Sequence, residues 1–244
     1  MQNLFGLRTR PNYVGIQGLV VEDHTHDPLS HWAKETTADY AFASLRKTLP
    51  IPDGAVVWSH LHRDLLPHVP ALPRDVEAVT DRVKAMLMQI DRDRSPDISD
   101  PPDKPSGTAF QQVIEQPPFA AMSAVSATLL TALPIHTWRR TRHRNASMLR
   151  IALRDAGFDV LRSLSDDAAP IGVVVDLHDA VTTKRIHHAL QSERIHTAVL
   201  WPRPSDDASG GFADQHLVVY CDHRYDAADL RRVTAAMTAA IERK

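Results

Sequence analysis

The sequence is poor in the features that define several common classes of protein. Its 244 residues include a single cysteine, Cys221, which excludes an internal disulfide and a zinc site built from several thiolates. The 28 basic and 30 acidic side chains give a net charge of -2, without the basic excess of a general nucleic-acid binder. No apolar run reaches the roughly 18 residues that span a bilayer. We therefore expect a cytoplasmic protein that binds neither nucleic acid nor membrane.

Three short apolar runs in the first quarter of the chain predict strands, at 18–23, 38–44 and 55–58. The first run ends in the carboxylates of Glu22 and Asp23, and the second is followed by Lys47. A buried strand that ends in polar side chains presents them to the crevice at the end of its sheet. This part of the sequence therefore carries the first candidate site residues.

The middle of the chain has a helical period. Apolar residues recur every three or four positions between 74 and 94, which predicts an amphipathic helix. Residues 95–118 hold six of the 17 prolines and predict a long surface loop or linker. Two further helices are predicted at 119–133 and 137–156, the second ending at Gly157.

The last third of the chain predicts a small α+β domain with the element order β-β-α-β-β-α, a mainly antiparallel sheet with helices on one face. Asp179 stands where it would cap the first of the two helices. The predicted strands are 158–164, 171–177, 195–200 and 216–221, and the predicted helices are 179–192 and 226–241. The domain predicted from these elements covers residues 135–244, after connecting helices at 73–134 and a first domain at 1–72.

Asp23 and Lys47 stand at the ends of neighbouring predicted strands, some two dozen residues apart. Pyridoxal phosphate (PLP) needs such a pair, because a lysine forms its Schiff base and a carboxylate pairs with the protonated pyridine nitrogen. From spacing alone, a solvated ion pair or a helix cap is the commoner interpretation of the same two residues. Further residues are needed to separate these readings.

Two segments of the chain supply them. Residues 20–26 (VVEDHTH) and 38–55 (ADYAFASLRKTLPIPDGA) resemble the core of fold-type I PLP-dependent aminotransferases, with the DegT-like (sugar aminotransferase) branch the most similar. Residues 193–202 and 222–225 resemble the small-domain strand and the Arg-Tyr segment of the same family. The resemblance implies an α/β fold, in which part of a PLP-transferase large domain precedes a small α+β C-terminal domain.

The resemblance also implies a role for each matching side chain. Asp23 would pair with the pyridine nitrogen, His26 would contact the phenolic oxygen, Ser44 would reach the phosphate, and Lys47 would form the Schiff base during amino transfer. Arg224 is a candidate anchor for a substrate carboxylate, since a guanidinium binds one in a bidentate way. An ion pair between Arg224 and a neighbouring aspartate is an equally good interpretation. No metal is implied.

The chain departs from the family at its N-terminal side. Family members begin with roughly half a large domain more, which carries the phosphate-binding loop and the aromatic residue that stacks on the cofactor. The first predicted strand would then have an unpaired edge that residues 1–15 are too few to cover. We expect a truncated copy or a hetero-oligomer with a subunit that supplies the N-terminal half, or else a homodimer. Small-molecule amino donors and acceptors would be the substrates.

Two other functions remain open from the sequence. A non-catalytic remnant or interaction module could keep this fold without turnover. The pair His24 and His26 also resembles the first His-x-His of metal-dependent amidohydrolases, in which alternating histidines hold a divalent metal.

Three other groups of basic side chains are assigned to the solvent. The histidines of 60–62 and 187–188 are predicted to be solvated. The basic run 138–145 is predicted to be a solvated helix face with Trp138 packed inward, although it could contact phosphate or a nucleotide sugar.

Overall fold

The structure is a computed structural model in which residues 1–61, 76–94, 121–163, 165–200 and 214–242 are described. Within these ranges it contains two sheets and six α-helices, which confirms the predicted α/β class. The strands are β1 Val21–Asp23, β2 Tyr40–Ser44, β3 Ala55–Trp58, β4 Asp159–Val160, β5 Gly172–Asp176, β6 Thr197–Leu200 and β7 His216–Tyr220. The helices are α1 His31–Lys34, α2 Val76–Arg94, α3 Ala124–Ala132, α4 Ile135–Asp155, α5 Ala180–Ser192 and α6 Ala227–Glu242.

The first sheet has the order β1-β2-β3, with β1 and β2 parallel and β2 and β3 antiparallel. Its register places Asp23, Phe42 and Val57 side by side on one face. Successive residues of a strand point to opposite faces, so Glu22 and Ala41 lie on the other face, where both are fully buried. The face that carries Asp23 is partly open, with exposed fractions of 38% at Val21, 36% at Phe42 and 56% at Val57.

The outer edge of β1 is paired at its carboxyl end, so the expectation of an uncovered edge there is wrong. Gln2 lies beside Asp23 in a parallel bridge. The Asn3 N–H donates to the Asp23 carbonyl and the Asp23 N–H donates to the Met1 carbonyl, both at 2.8 Å. Three residues suffice because β1 itself is only three residues long.

The second sheet has the order β4-β5-β7-β6, and every neighbouring pair is antiparallel. Helices α4, α5 and α6 pack on one face of it, as predicted, around Leu149, Ile186 and Met237. The predicted strand over 158–164 is wrong beyond Val160. The Ser163 hydroxyl turns away from the sheet and donates to the Gly6 carbonyl at 3.2 Å.

The N-terminal segment covers the other face of the second sheet. Leu4 and Phe5 are buried against Val174 of β5 and Val218 of β7. Gly6 follows with a φ of 71°, and a Cβ at this position would approach Ala168 Cβ to 2.5 Å. Residues 1–6 therefore contact both sheets, first as a neighbour of β1 and then as a cover for β5 and β7.

Local signals placed most helix ends correctly. The Asp179 carboxylate caps α5 by accepting from the Thr182 N–H at 2.7 Å, and Gly157 follows α4 with a φ of 87°, as predicted. Helix α1 is not among the predicted elements. Its cap Ser30 accepts from the Ala33 N–H at 3.2 Å. The 3₁₀ turn Leu45–Lys47 that follows β2 is not among them either.

The predicted division at 72 and 135 stays a prediction. The proline-rich segment 95–118 lies outside the described residues. A third apolar cluster joins the turn after β2 to α3 and α4, through Leu45, Leu49, Ile51, Leu129 and Trp138. None of the described helices is both long and apolar enough to cross a bilayer.

Candidate functional site

Asp23 ends β1, at the carboxyl end of the parallel pair. Its Oδ1 accepts from the Thr25 N–H at 2.8 Å, and its Oδ2 accepts a long 3.3 Å bond from the Gln2 side chain. The side chain is half-buried. One carboxylate oxygen is thus fixed by the backbone, and the other is held only weakly.

Lys47 and Ser44 lie at the corresponding end of β2. Lys47 is exposed and ends the 3₁₀ turn that follows the strand. The Ser44 N–H donates to Thr25 Oγ1 at 3.0 Å, so the end of β2 is bonded to the loop that follows β1. Because β1 and β2 are parallel neighbours, the loops that carry Asp23 and Lys47 leave the sheet at the same end.

His26 stands between these two charges. Its ring packs edge-to-face against Phe5, with the centroids 4.2 Å apart, and its Nδ1 is buried without a hydrogen-bond partner among the described residues. Burial, and after it the positive charge of Lys47, lower the pKa of His26 to about 4, although the Asp23 carboxylate opposes the shift. His26 is therefore a neutral imidazole at pH 7. Asp23, His26, Ser44 and Lys47 therefore lie at the same end of the first sheet, and their roles stay predictions.

A cavity of about 210 Å³ lies between the N-terminal segment and α1, and of the four candidate residues His26 alone is part of its lining. Its lining includes His26, Phe5, Ser30, Arg8 and Arg10. A space of this size accommodates a small polar molecule next to the His26 ring.

Glu22 and His24 belong to a separate, fully buried network on the opposite face of β1. His24 Nε2 lies 2.7 Å from Glu22 Oε2, and the Asn3 amide lies 3.3 Å from His24 Nδ1. Since Asn3 donates to Nδ1, we assign the ring proton of His24 to Nε2, from which it is donated to Glu22. The signal that could have predicted this is the alternation of a strand: Glu22 and His24 are each one position from Asp23 along the chain, so their side chains point to the opposite face.

The His-x-His metal interpretation finds no support in this geometry, because both ring nitrogens of His24 are engaged by protein groups. Within the described ranges, the group whose ligand atoms lie close enough together to hold a metal is Asp159, Asp176 and His178, on the second sheet.

Arg224 does not line the cavity beside His26. Its side chain is 71% exposed and forms a forked ion pair with Asp222, with Nη2 to Oδ2 at 2.6 Å and Nε to Oδ1 at 3.0 Å. Of the two interpretations left open by the sequence, the structure has the ion pair.

The basic run on α4 is solvated only in part, since Arg140, His143 and Arg144 are exposed as the sequence predicts and two other arginines are not. Arg142 is buried, and Arg139 is bonded to Asp27 and Asp167 on two other segments. Trp138 packs inward as predicted and stacks on His223 with the centroids 4.2 Å apart. The missed signal is the spacing of Arg142, Asn145 and Leu149, which extends the buried stripe of the helix by another turn.

Comparison with known proteins gives similarity of fold only. No protein-family model matches the sequence, and no curated protein matches it. A DegT/DnrJ/EryC1/StrS aminotransferase from Brucella abortus shares 13% identity at a TM-score of 0.53, over 98% of this chain and 62% of that one. A serine palmitoyltransferase variant from S. paucimobilis with bound PLP shares 15% identity at a TM-score of 0.50, over 92% of this chain and 47% of that one. The chain thus has the fold of these proteins and spans less than two thirds of their length.

Proposed function

We propose that this chain takes part in PLP-dependent amino transfer. The observation that carries the proposal is the convergence of Asp23, His26 and Lys47 at the carboxyl ends of two adjacent parallel strands. Solved structures that share the fold are described as an aminotransferase and as a PLP-bound transferase. The DegT-like branch is part of the proposal, and it rests on the sequence resemblance at 20–26 and 38–55.

The side chains present fit the cofactor. The unpartnered, buried Nδ1 of His26 and the weakly held Oδ2 of Asp23 are polar atoms without a strong protein partner among the described residues. Asp23 would hold the pyridine nitrogen, His26 the phenolic oxygen and Ser44 the phosphate, while Lys47 would carry the cofactor covalently. When bound, PLP supplies an electron sink for the carbon next to the amino group.

The residues of the chain have distinct tasks in this scheme. Asp23 provides a negative charge fixed at one oxygen by the Thr25 N–H. His26 is neutral, so it forms a hydrogen bond without adding a second positive charge beside Lys47. The exposed Lys47 amine would supply the nucleophile that joins the cofactor to the chain. Small-molecule amino donors and acceptors would enter through the adjoining cavity.

We further propose that another polypeptide completes this site. Parallel strands are normally covered on both faces, whereas the face that carries Asp23 leaves Phe42 and Val57 partly exposed. A subunit that packs helices on this face would cover both apolar side chains and close the surface beside Asp23 and Ser44. The partner would carry the N-terminal half of the large domain and the groups that bind phosphate. A second copy of this chain is the alternative.

The proposal is tested by reductive trapping on the full chain. We expect borohydride, added after PLP, to fix the cofactor on Lys47 much faster than on Lys184. Lys184 is also exposed and lies on α5. Asp23→Asn and His26→Gln should slow the labelling of Lys47, because they remove groups that hold the cofactor, and should leave the labelling of Lys184 unchanged.

Peptide mapping after reduction gives the ratio of the two labelled lysines, with Lys47→Arg as the blank for one and Lys184→Arg for the other. Equal labelling of the two lysines, unaffected by Asp23→Asn, would contradict a cofactor site. That result would favour the non-catalytic interaction module.

A further inference from the structure

Helix α4 is bonded to the loop of the candidate site that carries His26. The Nε and Nη2 atoms of Arg139 donate to the two carboxylate oxygens of Asp27, each at 2.9 Å, and Asp27 directly follows His26. Asp27 is buried and also accepts from the Ala169 N–H at 3.0 Å. This forked geometry fixes both the distance and the orientation of the carboxylate.

The same helix is bonded to the turn that carries Lys47. Arg142 is buried, and its Nη2 donates to the carbonyl of Thr48, which directly follows Lys47. The same nitrogen lies 3.2 Å from His223 Nδ1, and His223 stacks on Trp138. The same nitrogen of the guanidinium thus also contacts one ring of an aromatic pair.

We propose that Arg139 and Arg142 are positioning residues that set the separation of His26 from Lys47. The two arginines are one helical turn apart, about 4.5 Å along the axis, and each bonds to the residue that follows one of the two site residues. Helix α4 is anchored by Leu149 and Leu153 in the apolar core between the second sheet and its helices. The reason why the separation of His26 from Lys47 matters rests on the proposed function. The hydrogen bonds that set this separation do not depend on it.

The two arginines form different kinds of hydrogen bond, so replacing each by lysine should disturb the positioning to a different extent. A lysine cannot reproduce the two parallel N–H bonds of Arg139 to a carboxylate. It can, however, replace the single bond from Arg142 to a carbonyl. Arg142→Lys should therefore preserve positioning, whereas Arg139→Lys should lose part of it.

The test uses Arg139→Met and Arg142→Met, with Arg150→Met as the matched control. Arg150 lies two turns further along α4, where it is half-buried near Cys221. The first readout is the titration of His26, followed by NMR and assigned with His26→Gln. In both positioning variants we expect the pKa to rise from about 4 towards its ordinary value, since the ring loses burial and the nearby charge of Lys47.

The second readout is the trapping of PLP on Lys47 relative to Lys184. Misplacement of reacting groups by about 1 Å lowers rates by up to about 100-fold, so we expect the ratio to fall about tenfold or more in the two methionine variants. Arg142→Lys and Arg150→Met should retain the wild-type ratio.

A merely structural role gives a different outcome. If the methionine variants lose stability as Arg150→Met does, while the His26 titration and the Lys47 ratio keep their wild-type values, the inference is overturned. If the methionine variants do not fold, the lysine variants decide it, because Arg139→Lys must then change both readouts more than Arg142→Lys. Absence of selective trapping in the wild type would refute the proposed function, and the His26 titration would still decide the inference.

Discussion

Glu22 shows how one residue can be charged and structural at once. Its carboxylate accepts hydrogen bonds from Tyr13, His24, Trp32 and Thr36, at 2.5 to 2.7 Å, and it is fully buried. Burial alone would raise the pKa of Glu22, but these four donors outweigh it and lower the pKa to about 2. Glu22 therefore anchors β1 through the buried face of the sheet, and the neighbouring Asp23 lies on the opposite face with the candidate site.

We expect Glu22→Gln to lower the free energy of unfolding by about 2–4 kcal/mol at pH 7, because buried donors lose a charged acceptor. Urea unfolding measures the loss, and Glu35→Gln, at an exposed carboxylate, is the control with little effect.

The pH dependence follows from the lowered pKa. The contribution of ionised Glu22 is complete above its unfolded pKa, near 4.5, and is lost as the pH falls towards 2. The difference between wild type and Glu22→Gln should therefore shrink below pH 4.5. A difference that stays constant from pH 7 to pH 3 would contradict this account.

At the scale of elements, strand ends, caps and the helix α4 itself were predictable, and the burial of the arginines on α4 was not. The strand ends carried local signals, such as the change from apolar to charged residues at Asp23. The arginines of α4 carry no local signal of burial, since their partners Asp27 and Thr48 are about a hundred residues away along the chain. A run of charges on a helix was therefore assigned to the solvent, although the structure uses it to join two loops.

The N-terminal segment escaped prediction for a similar reason. Residues 1–6 have neither a helical nor a strand period, and their order comes from Asp23, Val174 and Val218. The docking of this segment depends on Gly6, where a side chain would meet both an unfavourable φ and the Ala168 Cβ.

We expect Gly6→Ala to destabilise the protein by about 1–3 kcal/mol and to speed amide exchange at residues 3–5. Gly15→Ala separates the two causes, because Gly15 also has a positive φ, 82°, but no atom within 4 Å of the added Cβ. If both variants are destabilised equally, the contact with Ala168 contributes nothing and this explanation of the docking is wrong.

At the scale of the whole molecule, the two sheets differ in how completely they are covered. The second sheet has helices on one face and residues Leu4 and Phe5 on the other. The first sheet is buried on the Glu22 face and open at Phe42 and Val57.

We expect amide exchange of the full chain to be slower in β5 and β7 than in β1 and β2, because local opening is easier where fewer apolar contacts hold a strand. Mass spectrometry of peptides covering 40–44 and 216–220 measures the difference. A partner that covers the open face should slow exchange in the first peptide and leave the second unchanged. Equally slow exchange in both sheets of the isolated chain would contradict the view that the partly exposed face makes the first sheet easier to open.

The packing of Leu4 and Phe5 on Val174 and Val218 also constrains the order of events on the ribosome. Once Leu4 and Phe5 are synthesised, more than two hundred further residues must follow before Val218 exists, which takes roughly 10–40 s at about 5–20 residues per second. During that interval β1 lacks the neighbour that residues 1–3 provide once they are docked, and its edge can pair with other nascent chains. A chaperone that shields this edge during synthesis should therefore raise the soluble yield.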